Sequence, residues 1–135
     1  MTHEEISALL DKLYTATSVG DFDLAETMLT DDVVITEADT LPMAGVYRGK
    51  TALRELFTNV MGMMDVAGLE RGPTMAAADQ AVAVVRFLFS DPNLAPAELC
   101  EWFRFRDGKV CEIKPYYFDP APIVAACQAK ATAAA

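Results

Sequence analysis

Basic side chains are scarce in this sequence. Eleven Lys and Arg stand against 20 Asp and Glu, giving a formal charge of -9. Nucleic-acid binding needs a basic footprint, and an anionic membrane surface repels an acidic chain. Neither partner is expected, whereas a neutral or weakly acidic small ligand stays open. Histidine is almost missing, with His3 alone. The three cysteines, Cys100, Cys111 and Cys127, are odd in number and form no Cys-x-x-Cys pair. That argues against a disulfide framework and against a zinc site, and no cofactor is implied. Reduced thiols in a cytoplasmic protein are the simple reading. No apolar run approaches the ~18–20 residues of a membrane span. The acidic Met1-Thr2-His3-Glu4-Glu5 start lacks the basic region of a secretory signal.

Apolar residues are plentiful, at 53% of 135 residues. A chain of this length and composition can bury one core, so residues 1–135 are expected to form a single domain. Residues 4–18 read as a helix, with Ile6, Leu9, Leu10, Leu13 and Thr17 at helical spacing. Thr2 and Glu5 have the spacing of a capping box. Gly20 stops this helix, and Asp21 can cap a short second one carrying Phe22, Ala25, Met28 and Leu29 on one side. Asp31-Asp32 marks a turn before a β-branched strand over 33–37. Residues 38–49 read as a loop, and a third helix runs from about Thr51 to Met64. Strands are expected over 66–78, interrupted at Gly72-Pro73, and over 81–89, 97–106 and 109–118. Asp119-Pro120 opens a last helical turn, and the Ala-rich tail from about 129 should fray. Helices first and hairpin-linked strands after them point to α+β with an antiparallel sheet.

The Arg106-Asp107-Gly108 turn decides which side chains share a face. A two-residue loop at Asp107-Gly108 would pair Arg106 with Lys109 and Phe103 with Glu112, and place Glu112 and Lys114 on the face of Phe103 and Phe105. A three-residue loop with a bulged glycine pairs Phe105 with Lys109, Phe103 with Cys111, Glu101 with Ile113 and Leu99 with Pro115. The second register segregates one nearly apolar face from one polar face, so it is preferred. Glu101 then becomes the one ionisable group on an apolar sheet face. In the strand over 81–89, Ala81, Ala83, Val85, Phe87 and Phe89 face one way, and Val82, Val84, Arg86 and Leu88 the other. Val33, Ile35 and Glu37 share a face, which puts a second carboxylate at the end of an apolar row.

The order and spacing of several short segments resembles the nuclear transport factor 2-like superfamily. They are Gly20-Asp21-Phe22-Asp23, Leu29 to Ile35, Tyr47 to Phe57, Phe103 to Val110 and Tyr117-Phe118-Asp119-Pro120. The likeness runs from about Ile6 to Val124 and looks closest to the SnoaL-like polyketide cyclase and ketosteroid isomerase branches. It implies a cone-shaped barrel of strongly curved antiparallel sheet, wrapped by about three N-terminal helices, with a pocket inside. Ketosteroid isomerases place a base at the end of the first strand, which here is Glu37. They place a protonated acid before a Phe-Arg-Phe strand, which here is Glu101. Their oxyanion tyrosine falls on Leu13, with Tyr14 next to it, about 100° round the helix. Tyr117 could enter the pocket from the sheet.

Two functions follow from that resemblance. In one, Glu37 as base and Glu101 as acid move protons next to a carbonyl of a small apolar or aromatic ligand, in isomerase or cyclase fashion. Tyr14, Tyr117, Phe57, Phe87, Phe103 and Ile113 would line its site. In the other, the cone only holds an apolar ligand or mediates dimerisation. Convergence of both carboxyls on an open cavity favours catalysis, and an Arg or Lys capping either favours binding. Plainer roles exist for each residue: Glu37 as a solvated strand end, Glu101 in an ion pair with Arg48 or Lys114, Tyr14 as helix packing, Asp119 as a helix cap. Trp102, beside Arg104 and Tyr116, has the composition of a homodimer contact.

Overall fold

The N-terminal capping box forms as its spacing requires. Thr2 Oγ1 accepts from Glu5 N at 3.1 Å, and Glu5 Oε1 accepts from Thr2 N at 2.9 Å. In a computed structural model, which describes residues 1–134, this box starts α1 (His3–Ser18). Asp21 caps the short α2 (Phe22–Glu26) through Leu24 N. There follow β1 (Leu29–Glu37), β2 (Gly45–Arg48), α3 (Ala52–Met63), β3 (Val66–Ala77), β4 (Gln80–Phe89), β5 (Ala97–Arg106), β6 (Lys109–Tyr117) and α4 (Ala121–Ala134).

The six strands form one sheet in the order β2-β1-β6-β5-β4-β3. It is mixed, because β1 runs parallel to β6 while every other pair is antiparallel, and it is not closed, because β2 and β3 at its two ends do not pair. The α+β architecture expected from the sequence, a cone of sheet with helices packed against it, is the one observed, with one parallel pair, β1 and β6, in an otherwise antiparallel sheet. Helix α1 packs on β3 and α2, α3 on β1 and β2, and α4 on α3. Ile6, Leu10, Leu13 and Ala16 of α1 and Ala52, Leu53, Leu56 and Val60 of α3 supply the helical half of the core. Full burial of each larger side chain contributes about 1.5–3 kcal/mol.

Five local expectations are corrected. Leu29 belongs to β1, not to the second helix, and Asp31-Asp32 lies inside β1, not at a turn. Both aspartates are exposed where the pairing with β6 shifts, between Leu29 and Val34, so an irregularity in the strand satisfies their polarity. The segment 38–49 is not all loop, since β2 pairs Val46 with Thr36 and Tyr47 with Ile35. The last helical turn is a helix of 14 residues, running through much of the alanine tail expected to fray. Alanine is the strongest helix former, and Lys130 ties this helix back by donating to Met61 O at 3.0 Å. Ala135 of that tail lies outside the described residues.

The hairpin turn is the fifth correction. Asp107 and Gly108 both take positive φ, 54° and 75°, the geometry of a two-residue loop. Arg106 therefore pairs with Lys109 and Phe105 with Val110. The pairs Phe105–Lys109, Phe103–Cys111, Glu101–Ile113 and Leu99–Pro115 do not form. The extra residue enters further along, because Arg104 already faces Glu112 and Phe103 faces Ile113. A one-residue bulge at either place restores the same parity. Leu99, Phe103, Phe105, Cys111 and Ile113 are accordingly buried, while Arg104 and Glu112 pair on the opposite face.

Candidate active site

Alternation along β1 turns Val33, Ile35 and Glu37 inward, and Glu37 ends that row only 4% exposed. On β5 the same alternation turns Glu101 inward between Phe103 and Leu99. Glu101 pairs with Pro115 on β6 and Ala83 on β4. Since Ile35 lies level with Ile113 on the parallel neighbour, Glu37 lies level with Pro115. The two carboxylates thus share one row, two strands apart, or about 10 Å between backbones.

Both carboxyls line a cavity of ≈ 530 Å³ between the sheet, α1 and α3. Its walls are mainly apolar. Phe57 comes from α3, Phe87 from β4, Phe103 from β5 and Ile113 from β6. Tyr14 enters from α1 and Tyr117 from the end of β6. Every residue proposed from the sequence as lining a site therefore borders this one cavity. Exposed Thr15, Ser18 and Met61 also border it, which puts its mouth between the ends of α1 and α3.

The polar contacts are unequal. Tyr14 donates its hydroxyl to Glu101 Oε1 at 2.5 Å, and its ring meets Phe103 edge-on at 6.1 Å. Glu37 Oε1 is buried with no hydrogen-bond partner. Burial, and then the charge of Glu101, push the Glu37 carboxyl up to about 8. Burial also raises Glu101, but the Tyr14 hydroxyl and the Arg71 charge oppose that rise. Burial thus favours the protonated form of Glu37 at neutral pH, which runs against the base role expected for it from the sequence. Desolvation raises both tyrosines: Tyr14 feels Glu101, and Tyr117 feels Glu37 and Glu101. Among the described residues no salt bridge involves Glu37 or Glu101. Arg48 and Lys114 do not pair with Glu101, and no three His, Cys, Asp or Glu stand close enough to hold a metal.

A family model described as the SnoaL-like domain matches residues 10–113. The chain belongs to this SnoaL-like family. Solved structures agree on the fold. An NTF2-like protein of unknown function from Burkholderia pseudomallei is 16% identical, with TM-score 0.77, over 94% of this chain and 98% of that one. A protein from a soil-derived mobile gene cassette is 15% identical, with TM-score 0.81, over 92% and 97%. TerC, crystallised with polyporic acid, is 14% identical, with TM-score 0.76, over 92% and 98%. No match was found among curated proteins. No helix among the described residues of this SnoaL-like domain is long and apolar enough to cross a membrane.

One lining residue of the SnoaL-like pocket escapes the sequence reading: Arg71 on β3. Its guanidinium carbon lies 4.1 Å from the centre of the Tyr14 ring. The pairing of β3 with β4 shifts between Arg71 and Thr74, so Gly72-Pro73 forms a bulge that turns both residues inward. A basic residue placed just before a Gly-Pro break in a strand was the available signal. The site as built can hold a mostly apolar molecule, offer hydroxyl donors from two sides, and keep a proton between two carboxyls.

Proposed function

We propose that the SnoaL-like pocket binds a small, mainly apolar carbonyl compound and moves a proton next to that carbonyl, in the manner of an isomerase or cyclase. The observation that carries this reading is the pair of unequal carboxyls in one row of an apolar wall. The chemistry requires the pair to hold one proton at the working pH. Glu101 has a hydroxyl donor and a nearby cation to favour its charged form. Glu37 has neither, so the proton rests on Glu37. The roles expected from the sequence are thereby exchanged. The Glu101 carboxylate takes a proton from the carbon beside the carbonyl. The electrons of that C–H bond form the enol double bond, and the carbonyl oxygen receives the proton of Glu37, with Tyr117 as a second donor. Transfer of the proton on Glu101 to a carbon of the enol system, as the enol hydroxyl returns its proton to Glu37, completes an isomerisation. Attack of the enol carbon on a second carbonyl, whose oxygen takes the proton on Glu101 while the enol hydroxyl returns its own to Glu37, completes a cyclisation.

Deuterium exchange into an enolisable ketone tests this. The rate should follow a bell against pH, falling above about 8 as the pair loses its last proton. It should fall again at low pH, at a limb above the ordinary carboxylate value of 4.5, as Glu101 gains one. A rate that instead rises through pH 8 would restore Glu37 as the base. Arg71, facing the Tyr14–Glu101 pair, favours a second reading: binding without turnover. That reading gives ketone binding with no exchange at any pH.

The outer sheet face supports a homodimer. Val82, Val84, Leu88 and Trp102 are half-buried there in the isolated chain, and Tyr116 is 57% exposed. Arg104 and Glu112 neutralise each other at 3.1 Å, and Trp102 Nε1 is already engaged with Gln80 at 3.0 Å. Such a face loses little polarity when covered. Light scattering should give twice the chain mass, and a single-chain mass at micromolar concentration would remove the homodimer.

A further inference from the structure

Arg71 is held in a way that hydrogen bonding alone does not explain. Nη1 lies 3.2 Å from Asp11 Oδ1 on α1, and Nη2 donates to Thr74 Oγ1 at 3.2 Å. Nε is buried with no partner. A guanidinium free to optimise its donors would not leave one covered and unpaired. What the arrangement does satisfy is a place for the guanidinium over the Tyr14 ring, its carbon 4.1 Å from the ring centre. Guanidinium planes stack on aromatic faces, and ammonium groups do not. The other face of the problem is Tyr14 itself, whose only polar anchor within the cavity is Glu101.

We propose that Arg71 is a positioning residue: gripped by Asp11 and Thr74, it clamps the Tyr14 ring so that the hydroxyl stays on Glu101, and it sets its own positive charge beside that pair. The inference rests on the acid–base reading of the pocket. The groups facing Glu101 are Tyr14 from α1, Arg71 from β3, Glu37 from β1 and Tyr117 from β6. Helix α3 contributes only apolar side chains to the cavity: Leu53, Leu56, Phe57, Val60 and Met61. Arg71 is therefore the one cation in the set. Through the bulge at Gly72-Pro73, a backbone irregularity of an edge strand reaches the chemistry two strands away.

The test needs no substrate. Carboxyl carbons of Glu37 and Glu101 and the hydroxyl proton of Tyr14 are followed by NMR against pH, in the whole chain and in three variants. In Arg71→Met, Glu101 keeps its proton to higher pH and no longer repels a charge on Glu37. The Glu37 midpoint should fall from about 8 by at least one pH unit, tenfold in proton affinity. The Tyr14 hydroxyl signal should broaden or vanish. Arg71→Lys keeps the charge but not the broad guanidinium over the ring, so it should restore the Glu37 midpoint and leave the Tyr14 signal lost. Asp11→Asn keeps the charge and loosens one grip on the guanidinium. It should weaken the Tyr14 signal alone, and it decides the matter if Arg71→Met fails to fold. An unchanged Glu37 midpoint in a folded Arg71→Met, or an unchanged Tyr14 signal in Arg71→Lys or in Asp11→Asn, overturns the proposal. Because no turnover is measured, absence of any ketone exchange would sink the acid–base function and leave this result standing.

Discussion

Glu101→Gln should lower the exchange rate of an enolisable ketone by about 10²–10⁴-fold, the range associated with a positioned general base. The amide keeps the shape of the side chain, and its oxygen can still accept from the Tyr14 hydroxyl, so the fold and the pocket walls are retained. What disappears is the one group able to take a proton from carbon. A second consequence separates this from a simple packing defect. The charge of Glu101 is part of what raises Glu37 to about 8. Without that charge Glu37 should titrate lower, yet still above 4.5, because the burial that first raises it remains. An NMR titration of Glu37 in Glu101→Gln reads this directly. Should Glu37 stay at about 8 in the variant, Glu101 was not charged, and the assignment of base and acid returns to the order expected from the sequence.

How much of this site the sequence disclosed depends on the range of the interactions involved. Alternation is local, so the inward set Val33, Ile35, Glu37 and the inward set Leu99, Glu101, Phe103 followed from period two alone. The split of apolar from polar side chains across the last hairpin demanded one extra residue, and one is present. Its place was not legible. Asp107-Gly108 has its own preference for two positive φ values, which moved the bulge past Val110. The parallel pairing of β1 with β6 joins segments about 80 residues apart, and no short-range pattern carries it. The short β2 forms only because β1 offers it an edge. Tyr14 shows the same limit. Its spacing on the helix put it beside the expected position, but which arc of α1 faces the pocket is set by packing against β3 and α2. Leu13 and Tyr14 both reach the cavity. Arg71 was hidden for the converse reason, since a strand bulge reverses the face that alternation assigns.

The unpaired Glu37 carboxyl should also limit the stability of the domain, and removing it should reveal how much. Glu37 holds its proton up to about 8 in the folded chain, against 4.5 for the ordinary group. Below 4.5 both states are protonated and the residue has no pH-dependent effect. Between 4.5 and 8 the unfolded chain releases the proton while the folded chain retains it. The folded state then binds more protons, so stability falls as pH rises through that window. Full passage across it corresponds to a loss on the order of 5 kcal/mol, at about 1.4 kcal/mol per unit. Glu37→Gln cannot ionise, so that loss is absent. Urea unfolding at pH 4 should find the variant within about 1 kcal/mol of the parent, because an uncharged amide replaces an uncharged acid of like shape. At pH 8 the variant should be the more stable by several kcal/mol, a large share of the roughly 5–15 kcal/mol typical of whole domains. Equal stability of the two proteins at pH 8 would mean that Glu37 finds a partner or water when charged. An ordinary titration would follow, and the pocket would lose the proton donor that its proposed chemistry requires.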